Sequence, residues 1–260
     1  MKKVVKFGGS SLASAKQFKK VGDIIRADKS RRYVVPSAPG KRNKNDTKVT
    51  DMLYACYEAT STGASYGKLL SAIKERYEQI IDGLELNLNL DYEFKTIEEN
   101  FIAKKGSDYA ASRGEYLNGI IMSHYLGYEF IDAAEVIFFD ENGTFLSEKT
   151  NEELSERLAH TERAVIPGFY GSNPDGICSK EIPQSSKTPR TFLPNPISEF
   201  IIAFSMVTEQ KPVFPAIPVM VYFGFRQVFS TMSVPGSSGL LVLRMLIGMP
   251  SRRTGKMASS

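Results

Sequence analysis

Cysteine and histidine are almost missing from this sequence, with two of each among 260 residues. Cys56 and Cys178 make neither a disulfide framework nor a metal cluster, which fits a reducing cytoplasm. His124 and His160 read as surface or helix-face residues, so His-based metal or triad chemistry is not expected. No uncharged apolar run reaches the roughly 18 residues that a membrane-spanning helix needs, so no membrane partner is expected. The N-terminus carries no apolar signal core, because Lys2, Lys3 and Lys6 bracket only two valines.

Charge is unevenly spread. From Cys178 onward there are nine Lys/Arg against three Glu and no Asp, a net of +6. The preceding 177 residues carry 24 basic against 26 acidic side chains, a net of −2, and nine of the 13 prolines also lie beyond Cys178. The basic excess belongs to the tail. It has no aromatic interleaving on a basic face, so a nucleic-acid partner is not expected.

What is present begins with "MKKVVKFGGSSLASAKQF". Val4–Phe7 reads as a short buried strand and Leu12 to about Ala27 as a helix, with Phe18, Val21, Ile24 and Ile25 at helical spacing. A strand that turns through Gly8-Gly9-Ser10-Ser11 into a helix points backbone N–H groups and positive dipole at whatever lies above it. Lys6 adds a full charge. The turn reads either as a phosphate site or as an ordinary strand–helix connection with a serine cap.

Residues 1–177 alternate strand and helix signals, as an α/β domain should. Arg32–Ser37 reads as a second strand, and helices are expected at about 47–61, 66–82, 92–104 and 108–126. Short strands follow at Glu129–Ile131 and Ala134–Phe139. A helix with Asn151 near its cap runs to His160, and Ala164–Phe169 reads as a last strand. Beyond Cys178 the periodicity stops: "KEIPQSSKTPRTFLPNP" has no period, and the prolines of "PVFPAIPVMVYFGF" do not suit a central strand. Poor packing is expected there.

Several residues could carry chemistry. Ser37 ends the second strand, where open α/β sheets bind ligands. Lys41 and Arg42 beyond it either neutralise an acid or belong to a solvated loop. Thr50 and Asp51 are either a helix cap pair or a hydroxyl and carboxylate turned to a site. Gly114 is a poor helix-interior residue, so Arg113-Gly114-Glu115 reads as a close backbone approach with Glu115 on a polar ligand. The alternative is an exposed glutamate on an amphipathic helix. Gly168, Gly171 and Gly176 mark a Gly-rich exit from a strand.

In order, "KFGGSS", "SAPGKR", "TKVTD", "SRGEYLNG", "FIDAAEVI" and "VIPGFYGSNPDG" closely resemble the catalytic domain of the aspartokinases, in the amino-acid kinase family. The resemblance covers residues 1 to about 177. It implies an amino-acid kinase-like three-layer α/β sandwich with a mainly parallel central sheet and an atypical or incomplete C-terminal lobe. No domain is assigned to 178–260.

By that resemblance, Lys6, Gly8, Gly9 and Ser10 match the loop that holds ATP phosphates, with Lys6 as the catalytic lysine. Ser37 and Thr50 match hydroxyls lining the aspartate pocket, and Glu115 matches the glutamate that binds the substrate amino group. The implied reaction transfers the ATP γ-phosphoryl group to the side-chain carboxylate of L-aspartate, the first step towards lysine, threonine and methionine. Mg²⁺ would bridge phosphate oxygens without a protein metal site. The resemblance also admits a homo-oligomer.

One departure stands out. The family's "TFSRGGSD" is replaced by "ICSKEIPQSSKTPRTFLPNP", and Arg-Gly-Gly-Ser-Asp occurs nowhere in the chain. Losing that cluster is expected to leave little or no aspartate-dependent ATP turnover, since it supplies charge-assisted clamps. An inactive remnant that binds a ligand or a subunit is therefore the alternative. Part of the tail also reads as frame-shifted. Starting each codon of Arg244–Pro250 one base earlier permits Asn, Ala, Asp, Trp or Arg, Tyr and Ala. The same shift through "RTGKM" permits Asn, Trp, Lys/Glu/Gln and Asp, similar to the family's "NAD.YENW.D".

Overall fold

A computed structural model of the chain describes residues 2–178 and, beyond them, strands at 221–223, 227–231 and 243–247. The first strand, β1 (Lys3–Phe7), pairs in parallel with β2 (Arg31–Pro36). β2 pairs with β4 (Ala164–Val165), and β4 with β3 (Glu129–Phe130), giving a parallel sheet of order β1-β2-β4-β3.

Side chains alternate across this sheet. Val5, Phe7, Val34 and Val165 face one apolar cluster, which is built with α1 (Ala15–Arg26), α2 (Val49–Thr62), α3 (Gly67–Gly83), α4 (Asp91–Ile102) and α5 (Ser107–Leu126). Val4, Tyr33, Val35 and Ala164 face a second cluster with α6 (Ala133–Val136) and α7 (Ser147–Ala159). Helices therefore cover both faces of a parallel sheet, as the resemblance implied. Buried strands of this kind are β-branched on both faces, which explains the unbroken Val-Val pairs in β1 and β2. Among the described residues no helix is long and apolar enough to cross a membrane.

Several expected elements differ. The helix expected from Leu12 is split: a 3-10 turn spans Gly9–Leu12, and α1 starts at Ala15 after an extended Ser14. Ala134–Phe139 is not a strand. Asp132 Oδ1 accepts the Ala134 N–H at 3.0 Å and starts one turn of helix, after which Phe138 and Phe139 make only isolated bridges. α7 begins a turn before Asn151. The strand expected over 164–169 pairs only through Val165, and one further bond runs from Ile166 N–H to Val34 O at 2.9 Å. Pro167 has no N–H to continue the ladder.

Instead of a plain exit loop, Gly171 and Gly176 belong to a hairpin of β5 (Gly171–Asn173) and β6 (Gly176–Cys178). In the tail, β7 (Val221–Phe223), β8 (Gln227–Thr231) and β9 (Leu243–Ile247) pair antiparallel in that order. Of "PVFPAIPVMVYFGF", only the stretch after its prolines, Val221–Phe223, is a described strand. The segments "KEIPQSSKTPRTFLPNP" and "PSRRTGKMASS" lie outside the described residues.

Candidate active site

The C-terminal ends of β1, β2 and β4 point the same way, because the strands are parallel. Each end carries part of one constellation. Lys6, the next-to-last residue of β1, is 6% exposed. Gly8 and Gly9 follow and are half-buried, while Ser10 is exposed. No side chain caps the 3-10 turn or α1, so the serine-cap reading of the turn does not hold. The first N–H groups of such a turn have no partner within it.

The end of β2 lies against this turn. Ser37 N–H donates to Phe7 O at 3.0 Å, and Gly40 N–H donates to Gly9 O at 2.8 Å. The two glycines touch backbone to backbone. A Cβ on Gly9 would lie 2.6 Å from Ala38 O, and one on Gly40 would lie 2.6 Å from the Gly9 carbonyl carbon. Any larger residue at either position would force the turns apart. Around Gly8 the same construction meets nothing within 4 Å, so that corner of the turn is open.

α5 closes the group from one side. Its Gly114 lets the helix approach: a Cβ there would lie 2.8 Å from Ala38 Cβ and 3.8 Å from Thr50 Oγ1. Thr50 and Asp51 sit in the first turn of α2 behind Lys48, so they are not its cap. Thr50 is half-buried near Gly114, and Asp51 is exposed. Glu115 is 7% exposed, which overturns the surface reading. Its Oε2 accepts N–H groups from Gly168 at 3.2 Å and Phe169 at 3.0 Å, and the Ser37 hydroxyl hydrogen-bonds its carboxyl group. Those two amides are free to do so because Pro167 has ended the β4 ladder.

Burial sets the electrostatics. It raises the Glu115 carboxyl above its usual value, opposed by Lys6 and then by the three hydrogen bonds. Burial also lowers the Lys6 ammonium, opposed by the Glu115 charge. Each group is thus held in the site at a desolvation cost, with only part of it returned by the other. A buried ammonium beside an open glycine turn suits a phosphate, and a buried carboxylate suits a cationic group.

Of the two readings of Lys41 and Arg42, the solvated loop holds. Lys41 is exposed, and the Arg42 fork grips Asp46, with Nε on Oδ2 and Nη2 on Oδ1, both at 2.9 Å.

Some residues of the constellation were not singled out in the sequence. Asn118 is fully buried and donates to Ser37 O at 2.6 Å. It lies one helical turn after Glu115, and that i, i+3 spacing is the signal that could have found it. The Tyr77 hydroxyl donates to Gly114 O at 2.8 Å. Arg113 stands beside Gly114 in the same turn of α5. Its guanidinium stacks on Tyr109, Tyr116 and Tyr170 at 4.7, 4.3 and 5.4 Å.

Comparison with known proteins bears on the family and the fold. A family model described as the amino acid kinase family matches residues 1–182. Aspartokinase 3 of Bacillus subtilis (strain 168) is 35% identical over 191 residues, covering 67% of this chain and 41% of that protein. The crystal structure of Clostridium acetobutylicum aspartate kinase aligns over 69% of this chain and 42% of its own, with a TM-score of 0.67 and 47% identity. E. coli aspartokinase III in complex with aspartate and ADP aligns over 88% of this chain and 50% of its own. With a TM-score of 0.61 and 20% identity, it speaks for the fold alone. The chain spans about two fifths of the length of the Bacillus and Clostridium relatives. The strand–turn–helix opening, the doubly covered parallel sheet and the family match coincide over the same residues: the chain belongs to the amino acid kinase family.

Proposed function

We propose that this chain performs aspartate kinase chemistry, moving the ATP γ-phosphoryl group onto the side-chain carboxylate of L-aspartate. The observation that carries the reading is the pair of buried opposite charges, Lys6 and Glu115, at one end of the parallel sheet. An amino acid offers complementary charges: its ammonium suits Glu115, and the phosphoryl group bound for its carboxylate suits Lys6. The Bacillus and Clostridium relatives, both aspartate kinases by name, support the choice of substrate.

The residues present fit a nucleotide phosphate. The open corner at Gly8 and the buried ammonium of Lys6 offer space and charge. ATP with Mg²⁺ supplies the activated phosphoryl group and neutralises its charge when bound. Lys6, Gly8, Gly9 and Ser10 hold the phosphates. The Lys6 charge stabilises negative charge as it builds on the transferring group, with no need to reorganise. Glu115, fixed by two backbone amides and Ser37, orients the substrate ammonium, and Ser37 and Thr50 offer hydroxyls to the rest of the acceptor. The protein's part is positioning and charge, with no covalent enzyme intermediate.

The alternative of a ligand-binding remnant gains no observation of its own from the described residues. Hydroxylamine trapping tests the reading, since an acyl phosphate is converted to a hydroxamate that gives a coloured complex with ferric iron. Hydroxamate that requires both ATP and L-aspartate is expected. No hydroxamate, together with no calorimetric binding of L-aspartate, would overturn the proposal.

A further inference from the structure

α3 runs behind the site and carries one charge on its apolar face. Ile73, Tyr77, Ile80 and Ile81 form that face, and Arg76 lies among them at 3% exposure. Its Nη2 donates to Gly40 O at 2.7 Å and to Ala13 O at 3.3 Å. Its Nη1 pairs with the Asp46 carboxylate. Asp46 is gripped from the other side by the Arg42 backbone N–H at 2.8 Å and by the Arg42 fork.

One buried guanidinium therefore joins three pieces of chain. Ala13 follows the 3-10 turn, Gly40 is the residue packed on Gly9, and Asp46 lies in the loop leading to Thr50. We propose that Arg76, with Asp46, is a positioning clamp that sets the phosphate turn against the Ser37–Thr50 segment. It touches no ligand; it fixes the distance between the two halves of the site. This rests on the function proposed above.

The other account of such a residue is plain stability. A buried ion pair is a poor stabiliser, and apolar replacements of similar volume are often neutral or better. What an apolar side chain could not do is satisfy the carbonyls of Ala13 and Gly40, which a buried backbone needs satisfied. A planar fork meets two carbonyls and a carboxylate at once. A lysine ammonium, lacking that geometry, meets them only in part.

Hydrogen–deuterium exchange on the full chain, with ATP titration, tests the clamp in Arg76→Met and Arg76→Lys. In R76M, amides of residues 8–14 and 38–46 should exchange at least tenfold faster while those of α5 stay unchanged. ATP affinity should fall at least tenfold, with R76K between R76M and the parent. If R76M does not fold, Asp46→Asn replaces it, because there the guanidinium keeps both carbonyls. D46N should loosen residues 40–46 alone. Uniformly faster exchange across the chain, or an R76K protein as impaired as R76M, would overturn the clamp. A parent protein that exchanges as expected but binds no ATP would overturn the phosphate role instead, leaving the two failures distinguishable.

Discussion

Lys6 and Glu115 act on each other through space at the same end of the sheet, and no hydrogen bond joins them. Two buried opposite charges that do not touch leave each other poorly compensated. That is a cost to the empty protein which a ligand carrying both charges can relieve.

Glu115→Gln should therefore stabilise the empty protein while weakening its ligand. The Glu115 carboxyl is raised above its ordinary 4.5 by burial. A carboxyl raised on folding binds its proton more tightly in the folded state. The parent thus loses stability as pH rises from the ordinary value to the raised one, and the loss stays constant above that. Thermal melting should place E115Q above the parent near neutral pH, with the gap closing below about pH 4.5. Binding of L-aspartate should fall by about 1.5–3 kcal/mol, the worth of a hydrogen bond to a charged group. Equal L-aspartate affinity in calorimetry would remove Glu115 from the acceptor site.

Lys6→Met tests the other charge. Lys6 is the foremost charge opposing the raised carboxyl of Glu115. Its loss should move the Glu115 titration further up, as read by carbon-detected NMR of the labelled carboxyl. Phosphoryl transfer should drop by roughly 10²–10³, the usual effect of removing one charge-stabilising donor. An unchanged Glu115 titration would mean that solvent screens the two groups from each other.

The opening turn was legible because a β-branched strand running into two glycines has few structural uses. Glu115 was legible through the misplaced Gly114 beside it and through the family resemblance. Apart from Ser37, the partners of Glu115 were not legible. The amides of Gly168 and Phe169 are backbone groups, available because Pro167 ends a ladder, and no side-chain pattern encodes that. The strand expected at Ala134–Phe139 failed for a local reason: the Asp132 cap wins over the β-branched run. Arg76 was not legible, because its three partners come from segments that only the fold brings together.

Asp46 carries the acid side of the pH response. The Arg42 fork, followed by its backbone N–H and Arg76, holds the Asp46 carboxyl well below the usual carboxylate range, against a smaller opposing effect of burial. A carboxyl depressed on folding contributes stability above its unfolded value, and that contribution disappears as pH falls through the folded one. Parent and D46N should differ most in denaturant midpoint above about pH 4 and converge in stronger acid. A gap independent of pH would show that Asp46 acts through packing and not through its charge.

The coding DNA tests the tail. The match to the family model stops at residue 182, close to the point where the ordered motifs stop. If part of the chain beyond codon 177 is read in a shifted frame, another frame there should spell "RGGSD" or "ENW". A coding sequence with neither would leave residues 178–260 as a divergent segment.

Gly114→Ala sets a local preference against packing. In an isolated helix the change is worth about 1 kcal/mol in favour of alanine. Here the new methyl would stand 2.8 Å from Ala38 Cβ and 3.3 Å from Leu53 Cδ1. Ala38 Cβ sits directly on the backbone, so α5 and the turn after β2 must separate. Overpacking of this kind costs about 1–3 kcal/mol, which outweighs the helix gain. The separation also draws Glu115 away from Ser37, its neighbour across that contact. Urea denaturation should show G114A less stable than the parent by up to about 2 kcal/mol, the difference between those two effects. Calorimetry should show weaker L-aspartate binding alongside it. If G114A were instead more stable and bound L-aspartate as before, the close approach of α5 would not be what builds the site.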